Sequence, residues 1–337
     1  MKILNSLLAG RKRMSAMSTE FEPAAKKGWL DTPWHADLTA LGATLCWAVG
    51  YLIYKEVLLH FDPLIAAWGR MFFGLCVYCV VFNKWLLRIA RQVKPKHWCV
   101  YLFAAFCEPC LYLVFTSFGM KYTTVSQAAV VASCVPVIVT LLAWLTIREK
   151  PGRYALPGFV VVVIAIAVLN STATASAYAP NPVLGNSLLV VACVCSAGYM
   201  ISLRRFSMPY PIMFSAVVQA AVGSIFILPV IYFSPTQWPA EWPLKPTFLM
   251  VMSGVVTTFG VYALFNSCIP KMPLSRLTSF VNMVPVFTIA LSMLIMGERL
   301  SLLQLICCAV ILLGVMISQR DKHLLPKFKK TEEKKGE

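Results

Sequence analysis

The sequence predicts an all-α polytopic membrane protein: ten transmembrane helices arranged as two inverted five-helix repeats. Three observations carry that expectation. Of 337 residues, 59% are hydrophobic and 13% charged, against roughly one quarter charged in a soluble domain. Ten apolar segments reach the roughly 20 residues that a bilayer crossing requires. The second half of the chain also repeats the first. Gly50-Tyr51 returns as Gly198-Tyr199, Pro63 as Pro211, Pro136 as Pro285 and Glu149 as Glu298, every pair 148 to 150 residues apart. Phe115-Thr116-Ser117 with Lys121 reappears as Phe265-Asn266-Ser267 with Lys271 at the same interval.

The segments run approximately 37 to 55, 63 to 84, 98 to 118, 123 to 146, 154 to 171, 183 to 203, 211 to 233, 247 to 267, 273 to 296 and 300 to 318. Each is too long and too uniformly apolar for the alternation of an outer-membrane strand. Pro109, Pro136, Pro157, Pro229 and Pro285 fall inside them, as membrane helices allow when neighbours satisfy the freed carbonyl. Five crossings per copy is odd, so the second copy enters the bilayer in the opposite sense, the arrangement of secondary transporters. The chain divides into a segment 1–36, a first repeat 37–172, a second repeat 183–318 and a basic tail 319–337.

The formal net charge of +16 does not point to nucleic acid, because the basic residues lie in termini and short loops rather than in one patch. They orient the chain instead. With a cytoplasmic amino terminus, 25 of the 30 Lys and Arg lie inside. Outside are Lys55, Lys121, Lys245 and Arg299, and Arg70 lies within a span. That bias places both termini in the cytoplasm and the protein in a bacterial inner membrane. Ile3 to Gly10 is too short for a cleaved signal, and Arg11-Lys12-Arg13 follows the apolar stretch instead of preceding it. Met14 and Met17 leave a later start open. Of twelve cysteines, Cys76/Cys79 and Cys107/Cys110 have CxxC spacing inside spans, where thiols serve as small apolar fillers. No metal site or cofactor is expected.

Intramembrane charges are the first functional candidates, because hydrocarbon solvates them badly. Glu108 lies ten residues from either end of the third span, about 15 Å deep, and Arg70 lies seven residues into the second, about 10 Å deep. Two readings are open. The two form a pair that locks neighbouring helices, or Glu108 faces a cavity and alternately holds a proton or a cationic group of the substrate. The second copy places Thr257-Thr258 and Val218-Gln219 at these positions, so a charge mechanism is asymmetric between the halves. Substrate-binding candidates are Trp47, Tyr51, Tyr112, Tyr199 and Tyr262, with Phe115 and Phe265 as further aromatics and Gln127, Gln219, Asn266 and Asn282 as amides. An amide in hydrocarbon seeks a partner across helices or in a wet cavity. Pro109, Pro136 and Pro285 are hinge candidates. Glu149 and Glu298, at span ends beside Arg148 and Arg299, read as caps or topology signals.

Trp47 with Lys55, Pro63, Arg70, Lys121-Tyr122-Thr123-Thr124, and Pro136 thirteen residues ahead of Glu149 together resemble an EamA domain. Pro285, thirteen residues ahead of Gly297-Glu298-Arg299-Leu300-Ser301, repeats its ending. The likeness, from Asp37 to Ser318, is to the EamA family of the drug/metabolite transporter superfamily. It implies helices one to four and six to nine around a central cavity, five and ten at the periphery, and substrates such as amino acids, nucleosides or amines, often moved outward. Ile147-Arg148 replaces the family's usual Leu-Gly, and Cys195-Ser196 its usual Trp-Ala. The expected function is secondary export of a small polar metabolite such as an amino acid, by proton or solute exchange. Its partners are that small molecule and the lipid bilayer. The alternative is an integral-membrane redox protein or enzyme using Cys107, Cys110 and Glu108.

Overall fold

The structure is a computed structural model that describes residues 33–172, 175–206, 210–236, 238–269, 271–272 and 274–319. Most of the segment 1–36, the tail beyond 319 and the basic residues they carry lie outside the described residues. The helices, in chain order, are α1 (Pro33–His60), α2 (Pro63–Gln92), α3 (Pro95–Tyr122), α4 (Val125–Ile147) and α5 (Ala155–Ser171). They continue with α6 (Pro182–Phe206), α7 (Ile212–Phe233), α8 (Leu244–Cys268), α9 in two pieces (Leu274–Val281 and Val284–Ile295) and α10 (Leu302–Gln319). Among the described residues eight helices are long and apolar enough to cross a membrane, while Ala155–Ser171 and Ser279–Ile295 are apolar but shorter. The protein is an all-α polytopic membrane protein.

Local sequence fixes where the helices start and stop. Asp62 caps α2, its Oδ1 accepting from Leu64 N at 2.9 Å, and Pro63, which has no N–H to lose, opens the first turn. Thr124 caps α4, its hydroxyl accepting from Gln127 N at 3.3 Å. Inside α4 the helix breaks at Ser133-Cys134 and restarts with Pro136 in its first turn. The two pieces of α9 meet in the same way ahead of Pro285. Both prolines therefore open a second helical piece. After α4 the chain turns at Arg148 (φ 55°), and after α9 at Gly297 (φ 66°), both left-handed.

Two helices carry a π-turn midway, at Phe106–Leu111 in α3 and Gly254–Gly260 in α8. In the first, Glu108 is extended (φ −142°, ψ 117°) and its bond to Pro109 is cis.

Lipid removes the hydrophobic drive between helices, so close backbone approach through small residues matters more than apolar area. A Cβ on Gly158 would stand 2.6 Å from Gly314 O, which joins α5 to α10. One on Gly185 would stand 2.7 Å from Gly119 O, which joins α6 to α3. Large apolar side chains point outward instead: Val80 is 78% and Leu294 82% exposed, as suits a surface solvated by lipid tails. The main core gathers Tyr54, Ile65, Met71, Leu113, Leu189, Ile227 and Met250 from six helices.

Lys55 needs correcting. Counted among the outside charges at the end of the first expected segment, it is a residue of α1 and only 1% exposed. Its Nζ donates to the carbonyls of Met120 (2.5 Å), Thr123 (2.8 Å) and Tyr178 (2.7 Å), with that of Lys121 at 3.4 Å. It joins α1 to the α3–α4 junction and to the chain ahead of α6.

Candidate functional site

Between α2, α3, α7 and α8 lies a cavity of about 50 Å³, room for on the order of three or four waters. Arg70 and Met71 of α2, Glu108, Pro109, Tyr112 and Leu113 of α3, Ala216, Gln219 and Ala220 of α7, and Thr258 and Tyr262 of α8 line it. Both π-turns contribute to its wall.

The extended backbone at Glu108 interrupts the helical ladder and leaves its carbonyl and carboxyl for other partners. Glu108 Oε2 accepts from Ser196 Oγ of α6 at 2.6 Å, and its backbone oxygen accepts from Gln219 Nε2 at 3.0 Å. One residue is thus held from two neighbouring helices. Arg70 lies over the Tyr54 ring, 5.2 Å from Cζ to the centroid, and its Nε is buried without a hydrogen-bond partner. Its own carbonyl is 3.5 Å from the Thr258 hydroxyl.

No ion pair within 4.0 Å joins Arg70 to Glu108, although the two interact electrostatically across the cavity. A buried charge without a counter-charge is costly. The site therefore presents a carboxylate and a guanidinium to whatever occupies the space between them, among phenols and amides that can donate or accept.

Of the residues expected from sequence to serve the site, Arg70, Glu108, Pro109, Tyr112, Gln219 and Tyr262 meet at this cavity. Tyr51 packs with Tyr112 against the main core, and Tyr199 lies near Glu108. Trp47 is half-buried in α1, and Asn266 is half-buried in α8 with its Nδ2 unpartnered; neither lines the cavity. Gln127 is buried at the start of α4 among Thr123 and Asn186. Asn282 donates to Gln319 Oε1 at 3.5 Å. Pro136 and Pro285 stand at their helix breaks, away from the cavity.

Sequence reasoning missed Ser196 as a partner of Glu108. Its signal was the departure of Cys195-Ser196 from the usual Trp-Ala, which puts a hydroxyl where the family has a methyl. Thr258, noted only as the counterpart of Glu108, shares the cavity with it. Glu298 is a cap, and it reaches across the bundle to α4: its carboxylate accepts from Val125 N (2.6 Å), Ser126 N (3.2 Å) and Ser126 Oγ (2.5 Å).

The profile of the EamA-like transporter family matches residues 34–171 and again 183–319. The uncharacterized transporter YetK of Bacillus subtilis (strain 168) is 21% identical over 329 residues, covering 96% of this chain and 99% of that protein. An uncharacterized transporter of Archaeoglobus fulgidus is 23% identical over 283 residues, covering 82% and 95%. One solved structure, titled only as the crystal structure of a protein, superposes with a TM-score of 0.54 at 20% identity over 86% of this chain and 98% of that one, a likeness of fold. The redox alternative gives way here, because the matching family is one of transporters. Because that profile covers nearly all of the described helices, the chain belongs to the EamA-like transporter family of the drug/metabolite transporter superfamily, whose members are transporters and not enzymes.

Proposed function

We propose that the protein is a secondary transporter that exports a small polar metabolite such as an amino acid by alternating access, with Glu108 and Arg70 as its charged binding groups. One observation carries the reading: the two charges border one cavity without pairing. A zwitterion supplies both missing partners, its ammonium to Glu108 and its carboxylate to the open side of Arg70. When the cavity is empty, a proton on Glu108 neutralises the carboxylate, which couples substrate movement to a proton gradient. Tyr112, Gln219 and Tyr262 contact the substrate, with Tyr51 and Tyr199 behind them. The small volume means that a metabolite enters only when helices part, and the breaks before Pro136 and Pro285 and the turn at Pro109 are the hinges.

The architecture proposed for this cycle is two inverted five-helix units, 37–172 and 183–318, with α5 and α9 completing ten spans. The 148 to 150 residue interval and the two π-turns at corresponding places in α3 and α8 support it. The distribution of basic residues supports cytoplasmic termini, and the bacterial relative YetK supports a bacterial cell membrane.

The test is uptake and efflux in proteoliposomes under an imposed pH gradient, screened over amino acids and nucleosides. Glu108→Gln is expected to abolish gradient-driven transport with the protein still in the membrane. Unaltered gradient dependence in that variant would eliminate the coupling role.

A further inference from the structure

The contacts that close the bundle at its two ends occupy corresponding positions 149 residues apart, and they differ in chemistry. At the α3–α4 junction, Asn186 of α6 donates from Nδ2 to Gln127 Oε1 at 3.0 Å and to Asn170 Oδ1 at 2.8 Å, and the Thr123 hydroxyl lies 2.8 Å from Asn186 Oδ1. Thr123, Gln127 and Asn186 are each at most 1% exposed. Beside them α3 and α6 touch at Gly119 and Gly185.

Shifting Gln127 forward by 149 residues gives Arg276, and shifting Asn186 back gives Asp37. These two form an ion pair, Nη2 to Oδ2 at 2.6 Å. Gly119 and Gly185 become Cys268 and Ala36, again in contact, with Cys268 Sγ 3.7 Å from Ala36 O. Deeper in the bundle the correspondence continues: Cys193 Sγ meets Val131 O at 3.5 Å, and Thr44 Oγ1 donates to Phe280 O at 3.2 Å. The two sets lie far apart. Asp37 opens α1, whereas Lys55, which binds Thr123 O, closes it, a separation of about 27 Å along the axis, close to the thickness of a bilayer core.

We propose that Gln127–Asn186 and Asp37–Arg276 are the latches of the two gates, and that only the Asp37 gate weakens with ionic strength. The inference rests on the alternating-access reading given above. Arg276 is 53% exposed and Asp37 21%, so their attraction is screened as the Debye length falls from about 10 Å at 0.1 M salt to about 3 Å at 1 M. The amide latch itself carries no charge. The Lys55 beside it is 1% exposed, with Nζ on Thr123 O, and is little screened. Glu298 is bound to the first amides of α4, and opening the latch strands buried donors and acceptors. An exposed ion pair shifts an equilibrium by roughly 1.5- to 5-fold.

Cys268, fully buried at the Asp37 gate, is a native reporter. The full-length protein in proteoliposomes is reacted with a hydrophilic maleimide, and modification of Cys268 is followed by peptide mass spectrometry. The rate is expected to rise about 1.5- to 5-fold between low and molar NaCl. Asp37→Asn should reach the high rate at low salt and lose the salt response, and the double reversal of Asp37→Arg with Arg276→Asp should restore protection. Asn186→Ala, which loosens the opposite gate, should slow the labelling. A Cys268 rate indifferent to salt and to Asp37→Asn overturns the latch assignment. A rate that responds to Asp37→Asn but not to Asn186→Ala upholds the Asp37 latch and overturns alternating access.

Discussion

Glu298 lies between α9 and α10 in sequence, yet it holds the start of α4, so its removal tests whether the ends of the bundle are tied together through that carboxylate. Its oxygens accept three hydrogen bonds from Val125 and Ser126, and Lys55 lies near enough to interact with its charge. A charge-assisted hydrogen bond contributes about 1.5–3 kcal/mol, and an anion at a helix N-terminus up to about 2 kcal/mol. Glu298→Gln keeps one acceptor oxygen and loses the charge; Ser126 still has Ser292 Oγ at 2.6 Å. Stability should fall by about 1–2 kcal/mol. Glu298→Ala leaves both α4 amides without this cap and should cost about 3 kcal/mol. At roughly 2–4 °C per kcal/mol, the melting temperature drops about 4 °C for Gln and about 9 °C for Ala. Tryptophan fluorescence during a thermal melt in detergent measures both. If both variants melt within about 1 °C of the parent, the cap carries no stability and the reasoning is refuted.

Three further changes can be read in the same melt. Arg148→Gly removes a side chain from a left-handed backbone (φ 55°) and should stabilise by about 0.5–1 kcal/mol, the steric relief being partly offset by the flexibility of glycine in the unfolded chain; a lower melting temperature would contradict this. Gly158→Ala puts a methyl 2.6 Å from Gly314 O and 2.7 Å from Ser318 N, which forces α5 and α10 apart at a cost of about 1–3 kcal/mol. Lys55→Met strips the donor from the carbonyls of Met120, Thr123 and Tyr178 and should cost at least about 3 kcal/mol, with a matching loss of protein recovered from the membrane fraction.

The sequence placed the helices well and the side chains less well. The segments expected from 63 and from 123 start at Pro63 and Val125, behind the caps Asp62 and Thr124, and the hinge candidates Pro136 and Pro285 stand at the breaks, because proline and capping groups act within one turn of where they stand. The direction each residue faces was harder to read. A span such as Val125–Ile147 is apolar almost throughout, so no polar stripe tells which side meets lipid, and Gln127 was grouped with the cavity although it is buried with Thr123 and Asn186 at the start of α4. Charge gave the better guide: Arg70 and Glu108 were singled out because hydrocarbon excludes them, and both border the cavity. Lys55 misled the same reasoning. At the end of the first segment it was counted among the outside charges, and nothing local revealed the backbone carbonyls from distant segments that bury it. Ser196 was noted only as a departure from the usual Trp-Ala, since one hydroxyl in an apolar helix acquires meaning only from the carboxylate opposite.

The π-turn at Phe106–Leu111 accommodates what amounts to one surplus residue in α3, since a wider ring takes up the insertion locally. Deleting any single residue there would scarcely shorten the helix. It would let the turn close as ordinary helix and keep the phase downstream, so that Ser117 still meets the Tyr54 hydroxyl and Gly119 still faces Gly185, while the extended Glu108 is lost. The same deletion in a regular turn rotates everything downstream by about 100°. The corresponding widening at Gly254–Gly260 takes up a residue in the same way ahead of Asn266 and Cys268 in α8. One-residue deletions in these two short stretches are thus absorbed locally, whereas the same change elsewhere in α3 or α8 acts as an azimuthal switch.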